Sequence, residues 1–286
     1  MNNKFGGIAL TKFKVSEYYI AYFDILGYKA FFEDKESDLS ELLESIVAIS
    51  QDVVKTTSLE GAFNDKFLIK AFSDNFIVLL EDHNISEYQA IKSLSYLLAL
   101  LQLRFLEKYS ILLRGSITKG YAYINKSIVF GEGLVRSVEL EGMADFPRII
   151  IDDLRISREV CSDLCEKSLL QDNDEKYYVD FFDVLDKRVG DDDFFGENEK
   201  EHLFRIRTNI VKLTNRYGKY NRLVKDNKKI IQTERTISKY LWLLTKFNNF
   251  CIYQYQDFVI NYNFVLYQRL MKSEIHVNKE RIDHDY

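Results

Sequence analysis

Asp24 and Asp74 each place a carboxylate in an otherwise apolar run. Asp24 lies in Tyr19-Ile20-Ala21-Tyr22-Phe23-Asp24-Ile25-Leu26-Gly27-Tyr28, and Asp74 lies between the apolar halves of Phe67 to Leu80. An unpaired carboxylate in such a run is costly, because burial strips its charge of water. Two of them in one domain imply a shared positive partner, most simply divalent metal ions held by hard oxygen ligands. The alternative for each acid alone is a strand-end or turn carboxylate that caps a backbone amide.

The elements that must hold these acids alternate between strand and helix patterns. A strand is expected at about 17–25, then a helix at about 38–56 with Leu42, Leu43, Ile46, Val47, Ile49 and Val53 on one broad face. Strands at about 66–72 and 75–80 form either a hairpin turning near Ser73-Asp74-Asn75 or one bent strand. A helix at about 85–108 carries Ile91, Leu94, Leu98, Leu101 and Phe105 at helical spacing. Strands at about 111–118 and 119–124, a short helix at about 132–142 after Gly131, and a strand Arg148-Ile149-Ile150-Ile151 complete the series. This β-α-β-β-α-β order predicts an α+β fold, a ferredoxin-like antiparallel sheet with helices on one face.

Composition bounds the rest. The chain has 286 residues, 47% of them hydrophobic and 14% aromatic, which is enough for a substantial core. Net charge is -5, so the basic footprint of a nucleic-acid binder is absent. No run reaches the ~18 apolar residues of a membrane span, and the short N-terminal apolar stretch is broken by lysines, unlike a secretory leader. A soluble, reduced, cytoplasmic protein is expected. Cys161, Cys165 and Cys251 are too sparse for a disulfide framework or a zinc site and are expected to pack. The four histidines lie outside the motifs and are expected at the surface.

Composition shifts near residue 152, which divides the chain into a core domain at 1–152 and a mainly helical region at 153–286 packed on it. The acid run Asp191-Asp192-Asp193 is expected in a solvated loop beyond a strand-like Tyr177 to Phe182. Long helices are expected at about 199–226 and 228–248, followed by an aromatic helix over 250–270 that packs on the core.

Four of these motifs together resemble the class III nucleotidyl cyclases. Tyr22-Phe23-Asp24-Ile25-Leu26-Gly27-Tyr28 is similar to their first metal motif, and Lys70-Ala71-Phe72-Ser73-Asp74 to their second, with serine in place of glycine. Arg114-Gly115-Ser116-Ile117-Thr118-Lys119-Gly120 is similar to the strand that follows, and Gly131 to Glu141 aligns without a gap to the next helix. The order agrees over roughly residues 17–152. Phe-Asp-Ile-Leu-Gly, Phe-Ser-Asp, Arg-Gly-Ser-Ile and Leu-Glu-x-x-Ala-x-x-Pro-Arg-Ile together resemble a narrower group, the Pycsar pyrimidine cyclases of bacterial antiphage defence. The stretch Ser238 to Leu243 is also similar to a feature of those chains.

The resemblance implies a metal-dependent cyclase that converts CTP or UTP to the 3′,5′-cyclic monophosphate and pyrophosphate. It implies two Mn²⁺ or Mg²⁺ ions per site, held by Asp24, Asp74 and the Ile25 carbonyl. Leu26, Gly27 and Tyr28 would offer amides to the triphosphate, and Lys70 would meet the base, although Lys70 also reads as a lysine snorkelling from a strand edge or pairing with an acid. The family's transition-state asparagine and arginine fall on Val135 and Glu139, which cannot do that work. Either the chain is inactive, or another cation substitutes: Arg136, Arg114, Lys119 or Arg148. Arg136 points about 100° from Val135 on an ideal helix and faces solvent in one reading, and Arg148 reads better as the partner of Glu141. A homodimer follows from the family's two-subunit sites, with no nucleic acid or membrane partner. The product would act on a separate effector in antiphage defence. Purine cyclisation, or a cyclase-like module that binds nucleotide without turnover, are the alternatives.

Overall fold

Alternation along the first strand separates the two faces of the whole sheet. In β1 (Val15–Leu26), Tyr19, Ala21, Phe23 and Ile25 share one face, and Ile20, Tyr22 and Asp24 share the other. This computed structural model describes residues 15–26, 48, 67–72, 74–82, 85–125, 128–165, 167–185, 199–216 and 227–261. The helix expected at 38–56 therefore lies outside the described residues except at position 48, which is helical.

β1 pairs antiparallel with β3 (Asn75–Glu81) on one side and with β4 (Leu112–Ile124) on the other. β2 (Phe67–Phe72) forms a hairpin with β3, which settles that open choice in favour of two strands. The order β2-β3-β1-β4 is the antiparallel ferredoxin-like sheet. It continues through β6 (Ile149–Ile151), which pairs parallel with β4, to β8 (Tyr177–Val179) and β7 (Leu169–Gln171). The short β5 (Val129–Phe130) pairs with the end of β4. Residues beyond 152 thus add two strands to the sheet as well as helices. The strands expected separately at 111–118 and 119–124 are one continuous strand, because its glycines sit at close approaches to neighbours rather than at a turn. A Cβ on Gly115 would lie 2.4 Å from the Tyr22 carbonyl oxygen and 2.5 Å from the Phe23 Cβ. Only glycine lets β4 approach β1 this closely beside Asp24.

Helices cover both faces, which corrects the expectation of one. α1 (Glu87–Tyr109) lies on the Tyr19–Phe23 face, buried over most of its length, with Leu94, Leu97, Leu98, Leu101 and Phe105 in the main core. A capping box starts it: the Ser86 hydroxyl accepts from the Gln89 amide at 3.3 Å, and the Gln89 side chain accepts from the Ser86 amide at 3.5 Å. α4 (Glu199–Arg216) packs outside α1, and Asn209 donates to the Glu107 carbonyl and to that of Leu106, which also accepts from the Ser110 amide, in the last turn of α1. His202 is buried there at 2.7 Å from Glu107, so it is no surface histidine. α2 (Glu132–Gly142) lies on the opposite face, where Leu134 packs against Ile20, Tyr22, Ile77 and Leu79. Crossing to that face needs a close seat, and Gly133 provides it: a Cβ there would meet Ile20 Cδ1 at 2.7 Å.

α3 (Arg158–Leu164) buries Cys161. α5 (Asn227–Gln254) buries Leu243, Leu244, Phe247 and Cys251 in the main core and sets Trp242 against a separate cluster of Leu140, Ala144, Ile150 and Tyr178. It ends at Gln254 and turns through a short 3-10 segment at Gln256–Phe258, so no single helix spans 250–270. Residues from 262 onward, and the acid run at 191–193, lie outside the described residues.

Arg148 is fully buried and does not reach Glu141. It donates to the Ala144 carbonyl at 3.0 Å, to Asp172 at 3.0 Å and through two nitrogens to Asp174. Its guanidinium lies between the Phe146 and Tyr178 rings. The following turn holds Asp180, whose carboxyl burial pushes up to about 6 despite accepting from the Phe182 amide. The folded state therefore keeps a proton that the unfolded chain releases near the ordinary value of 3.8. Stability through this group is expected to fall as pH rises from about 4 to about 6 and then to level off. Asp180→Asn should flatten that part of the profile, which urea unfolding midpoints across this range would measure.

Candidate active site

Strand register brings the two acids together. Asp24 pairs with Asn75 across β1 and β3, and Asp74 is the turn residue just before it. The Ile25 amide donates to the Asp74 carbonyl at 3.0 Å, which ties the hairpin turn to β1. Asn75 Nδ2 donates to Asp74 Oδ1 at 3.1 Å, and the Tyr22 hydroxyl donates to Asn75 Oδ1 at 2.5 Å. Below them, on the core face, the Phe23 and Phe76 rings stack at 5.2 Å. That apolar floor makes this end of the sheet a poorly hydrated place for charge.

Opposite Asp24 on β4 stands Arg114, its direct cross-strand partner. Its Nη2 and Nε approach the two Asp24 oxygens at 3.0 and 3.4 Å. Arg114 also pairs with Glu141 in the last turn of α2. The helix reaches this point because it runs back along β4. The Ser116 hydroxyl donates to the Ser137 carbonyl at 2.7 Å, and Glu141 lies four residues further on. Four helical residues advance ~6 Å and two strand residues advance ~6.7 Å, so Glu141 falls beside Arg114.

The electrostatics reflect crowding of like charge. Burial raises the Asp24 carboxyl above the usual carboxylate range, and the pull of Arg114 offsets only part of this. Burial also raises Glu141, and the Asp24 charge adds to it. Arg114 is held more firmly protonated, because its two carboxylates outweigh the burial that opposes its charge. Lys239, on α5, acts electrostatically on Asp24 and Glu141, and its own ammonium is weakened by burial and then by Arg114. Glu141, Asn75, Tyr22 and Lys239 were not identified from sequence as parts of this site. Tyr22 carried a usable signal, since it lies two residues before Asp24 and shares its face.

The other candidates lie elsewhere. Arg136 is engaged in a bidentate pair with buried Asp152, at 2.9 Å for both bonds, and Thr118 donates to the same carboxylate at 2.7 Å. Thr118 is four strand residues from Arg114, or ~13 Å. Lys119 lies near the far end of β4 on the opposite face, 2.8 Å from Asp82 and above the Tyr19 ring. Lys70 shares the face of Asp24, but its Nζ donates at 2.6 Å to the Asn125 carbonyl, beyond the end of β4 that pairs with Val15. The structure therefore does not bring Arg136 or Lys119 to Asp24. Val135 and Glu139 both point to solvent. Leu26 ends β1 opposite Leu112, while Gly27 and Tyr28 lie outside the described residues.

Arg114 bridges Asp24 and Glu141, and Asp74 stands at the turn beside Asp24; among the described residues no three His, Cys, Asp or Glu side chains are grouped to hold a metal ion. The carboxylates of Asp24 and Asp74 are hard oxygen donors of the kind that Mg²⁺ and Mn²⁺ take.

No protein-family model and no curated protein matches the chain. Among solved structures, it is similar to the monomeric guanylyl cyclase domain of the RhoGC fusion protein from the aquatic fungus Blastocladiella emersonii. That match has 10% identity and a TM-score of 0.46, covering 58% of this chain and 96% of the other. The adenylyl cyclase CyaB from P. aeruginosa gives 16% identity and a TM-score of 0.41, covering 58% and 95%. The guanylate cyclase domain of RhGC from Catenaria anguillulae, in complex with GTP, gives 12% and 0.42, covering 58% and 98%.

Proposed function

We propose that this protein is a nucleotidyl cyclase, and within that class a pyrimidine cyclase whose substrate is CTP or UTP. The observation that carries this proposal is the meeting of Asp24 and Asp74 at one end of the sheet, from motifs fifty residues apart that each resemble a cyclase metal motif. The narrower resemblance of Phe-Asp-Ile-Leu-Gly, Phe-Ser-Asp and Arg-Gly-Ser-Ile supports the pyrimidine substrate and a role in antiphage defence through a separate effector.

In the reaction, the ribose 3′-hydroxyl oxygen bonds to the α-phosphorus, the bond from that phosphorus to the pyrophosphate oxygen breaks, and the hydroxyl proton passes to solvent water. Asp24, Asp74 and the Ile25 carbonyl would hold Mn²⁺ or Mg²⁺, which when bound supplies charge to acidify the hydroxyl and neutralise the leaving group. The residues of the chain do the positioning. Pairing with Asn75 and Arg114 fixes β1 at Asp24, and the Ile25 amide fixes the Asp74 turn. Arg114 favours the ionised forms of Asp24 and Glu141, offsetting part of the burial that raises both, and its guanidinium is the cation nearest to Asp24 on β4. We assign to it the role vacated by Glu139.

The family's paired sites imply a homodimer here. Tyr121, Phe130, Val135 and Val138, on β4, β5 and the outer face of α2, are exposed apolar side chains suited to a second copy. A second reading, a cyclase-like module that binds nucleotide without turnover, is favoured by the solvent-facing Val135 and Glu139 and by the engagement of Arg136 with Asp152. Incubating purified protein with each of the four ribonucleoside triphosphates and Mn²⁺ separates these readings, with products resolved by chromatography and identified by mass. A cyclic pyrimidine monophosphate is the expected product. Cyclic AMP or cyclic GMP would replace the substrate assignment, and binding without product would favour the second reading.

A further inference from the structure

Lys239 belongs to the C-terminal helix, within the Ser238 to Leu243 stretch and far in sequence from the Asp24, Asp74, Arg114 and α2 motifs, yet it feels the same charges. Its position is set by an interlocked stripe on α5. One turn further along, the Trp242 indole N–H donates to Asp172 at 2.8 Å, while the ring stacks on Phe146 at 5.6 Å and meets the Tyr178 edge. One more turn on, Lys246 Nζ lies 3.2 Å from the other Asp172 oxygen. Asp172 is itself held by Arg148. Phe146 follows α2 by only a few residues, so anchoring Trp242 on it directs the preceding turn of α5 towards the end of α2. Lys239, in that turn, is near enough to feel the charges of Arg114, Asp24, Asp145 and Glu141.

Lys239 differs from Arg114 in that, among the described residues, its donors are uncommitted. Arg114 is engaged by Asp24 and Glu141. Lys239 is partly buried, and among the described residues it forms no hydrogen bond or ion pair. A partly buried ammonium without a direct partner is unfavourable, and nothing in the packing of Trp242 requires one at this position. An ammonium offers three donors on a compact charge, which suits a phosphate group.

We infer that Lys239 is a phosphate-binding residue of this site, so that the C-terminal region completes the nucleotide site in cis by supplying a cation for the triphosphate. This rests on the proposed function for its ligand class, a nucleoside triphosphate. It adds that α5 contributes to binding, beyond bracing the core.

The test is the affinity of the full chain for fluorescent analogues of CTP and UTP in the presence of Ca²⁺ or Mn²⁺, read by anisotropy. Wild type, Lys239→Met, Lys239→Gln and Lys239→Arg are compared, with turnover measured in parallel. Removing the charge is expected to weaken binding roughly 10- to 100-fold. It should raise KM far more than it lowers kcat, and Lys239→Arg should recover part of the loss. Thermal midpoints of the neutral variants should equal or exceed that of wild type, because a cation without a direct partner is being removed. Unchanged affinity in both neutral variants would overturn the inference, whatever the turnover. A wild type that binds no analogue would overturn it together with the proposed function. A wild type that binds but makes no cyclic product would refute catalysis alone, and the Lys239 comparison would still decide this inference.

Discussion

Asp24→Ala is expected to lower cyclic nucleotide formation by about a thousandfold or more, equivalent to about 4 kcal/mol of transition-state stabilisation. The fold should survive the change. Burial already disfavours the Asp24 charge, so its loss relieves a cost, and Arg114 keeps Glu141 as a partner. Asp24→Asn should be nearly as inactive, because it retains the size of the side chain but not the anionic oxygen that a divalent cation needs. The measurements are product yield by chromatography with mass identification, and the thermal midpoint by circular dichroism. Undiminished product from a well-folded Asp24→Ala would remove Asp24 from the metal-ligand set. A collapse in the midpoint would make its role structural.

The second large effect lies in the fold. Arg148→Met is expected to destabilise the protein by about 3 kcal/mol, the lower end of what breaking a buried ion pair costs. The lower end applies because the partners are not stranded equally. Asp172 retains Trp242 and Lys246, and Asp174 is accessible enough to rehydrate. Methionine preserves apolar volume between Phe146 and Tyr178 but cannot donate to the Ala144 carbonyl. The pH dependence has a definite sign. Burial works the other way, yet Arg148 and Lys176 hold the Asp174 carboxyl down at about 2. That contribution is fully present above about 4 and is lost as pH falls towards 2. The gap between wild type and variant should therefore narrow over that interval, as urea unfolding at pH 7 and pH 2.5 would show. Trp242 shares Asp172 with Arg148, so Arg148→Met should also disturb tryptophan fluorescence and, through α5, weaken nucleotide binding.

Much of the framework is legible in the chain itself. β1, the β2–β3 hairpin, α1, α2 and β6 all lie where periodicity places them, because each buries one well-marked face. The faces were harder to assign. α2 has the same kind of apolar spacing as a helix on the core side, and only the fit of Gly133 against Ile20 shows that it crosses to the other face. Nor does a glycine by itself reveal its job. Gly115 and Gly120 look like strand breakers, and both serve close packing within one long strand.

The site divides in the same way. Sequence alone singled out Asp24 and Asp74, because a charge inside an apolar run is costly where that run is buried, as Asp24 is, whereas the hairpin sets Asp74 at its turn. It also placed Arg114 in the same small set of residues. Only the tertiary structure decided which cation meets which acid. Arg114 takes Asp24 and Glu141, Arg136 takes Asp152, and Arg148 takes Asp172 and Asp174. Lys239 arrives from a helix more than two hundred residues after Asp24. The physical reason is range. Burial preference is a property of each residue and its immediate neighbours, so it can be read locally. Ion pairing depends on a few ångströms between side chains that strand register, helix seating and the anchoring of one tryptophan bring together.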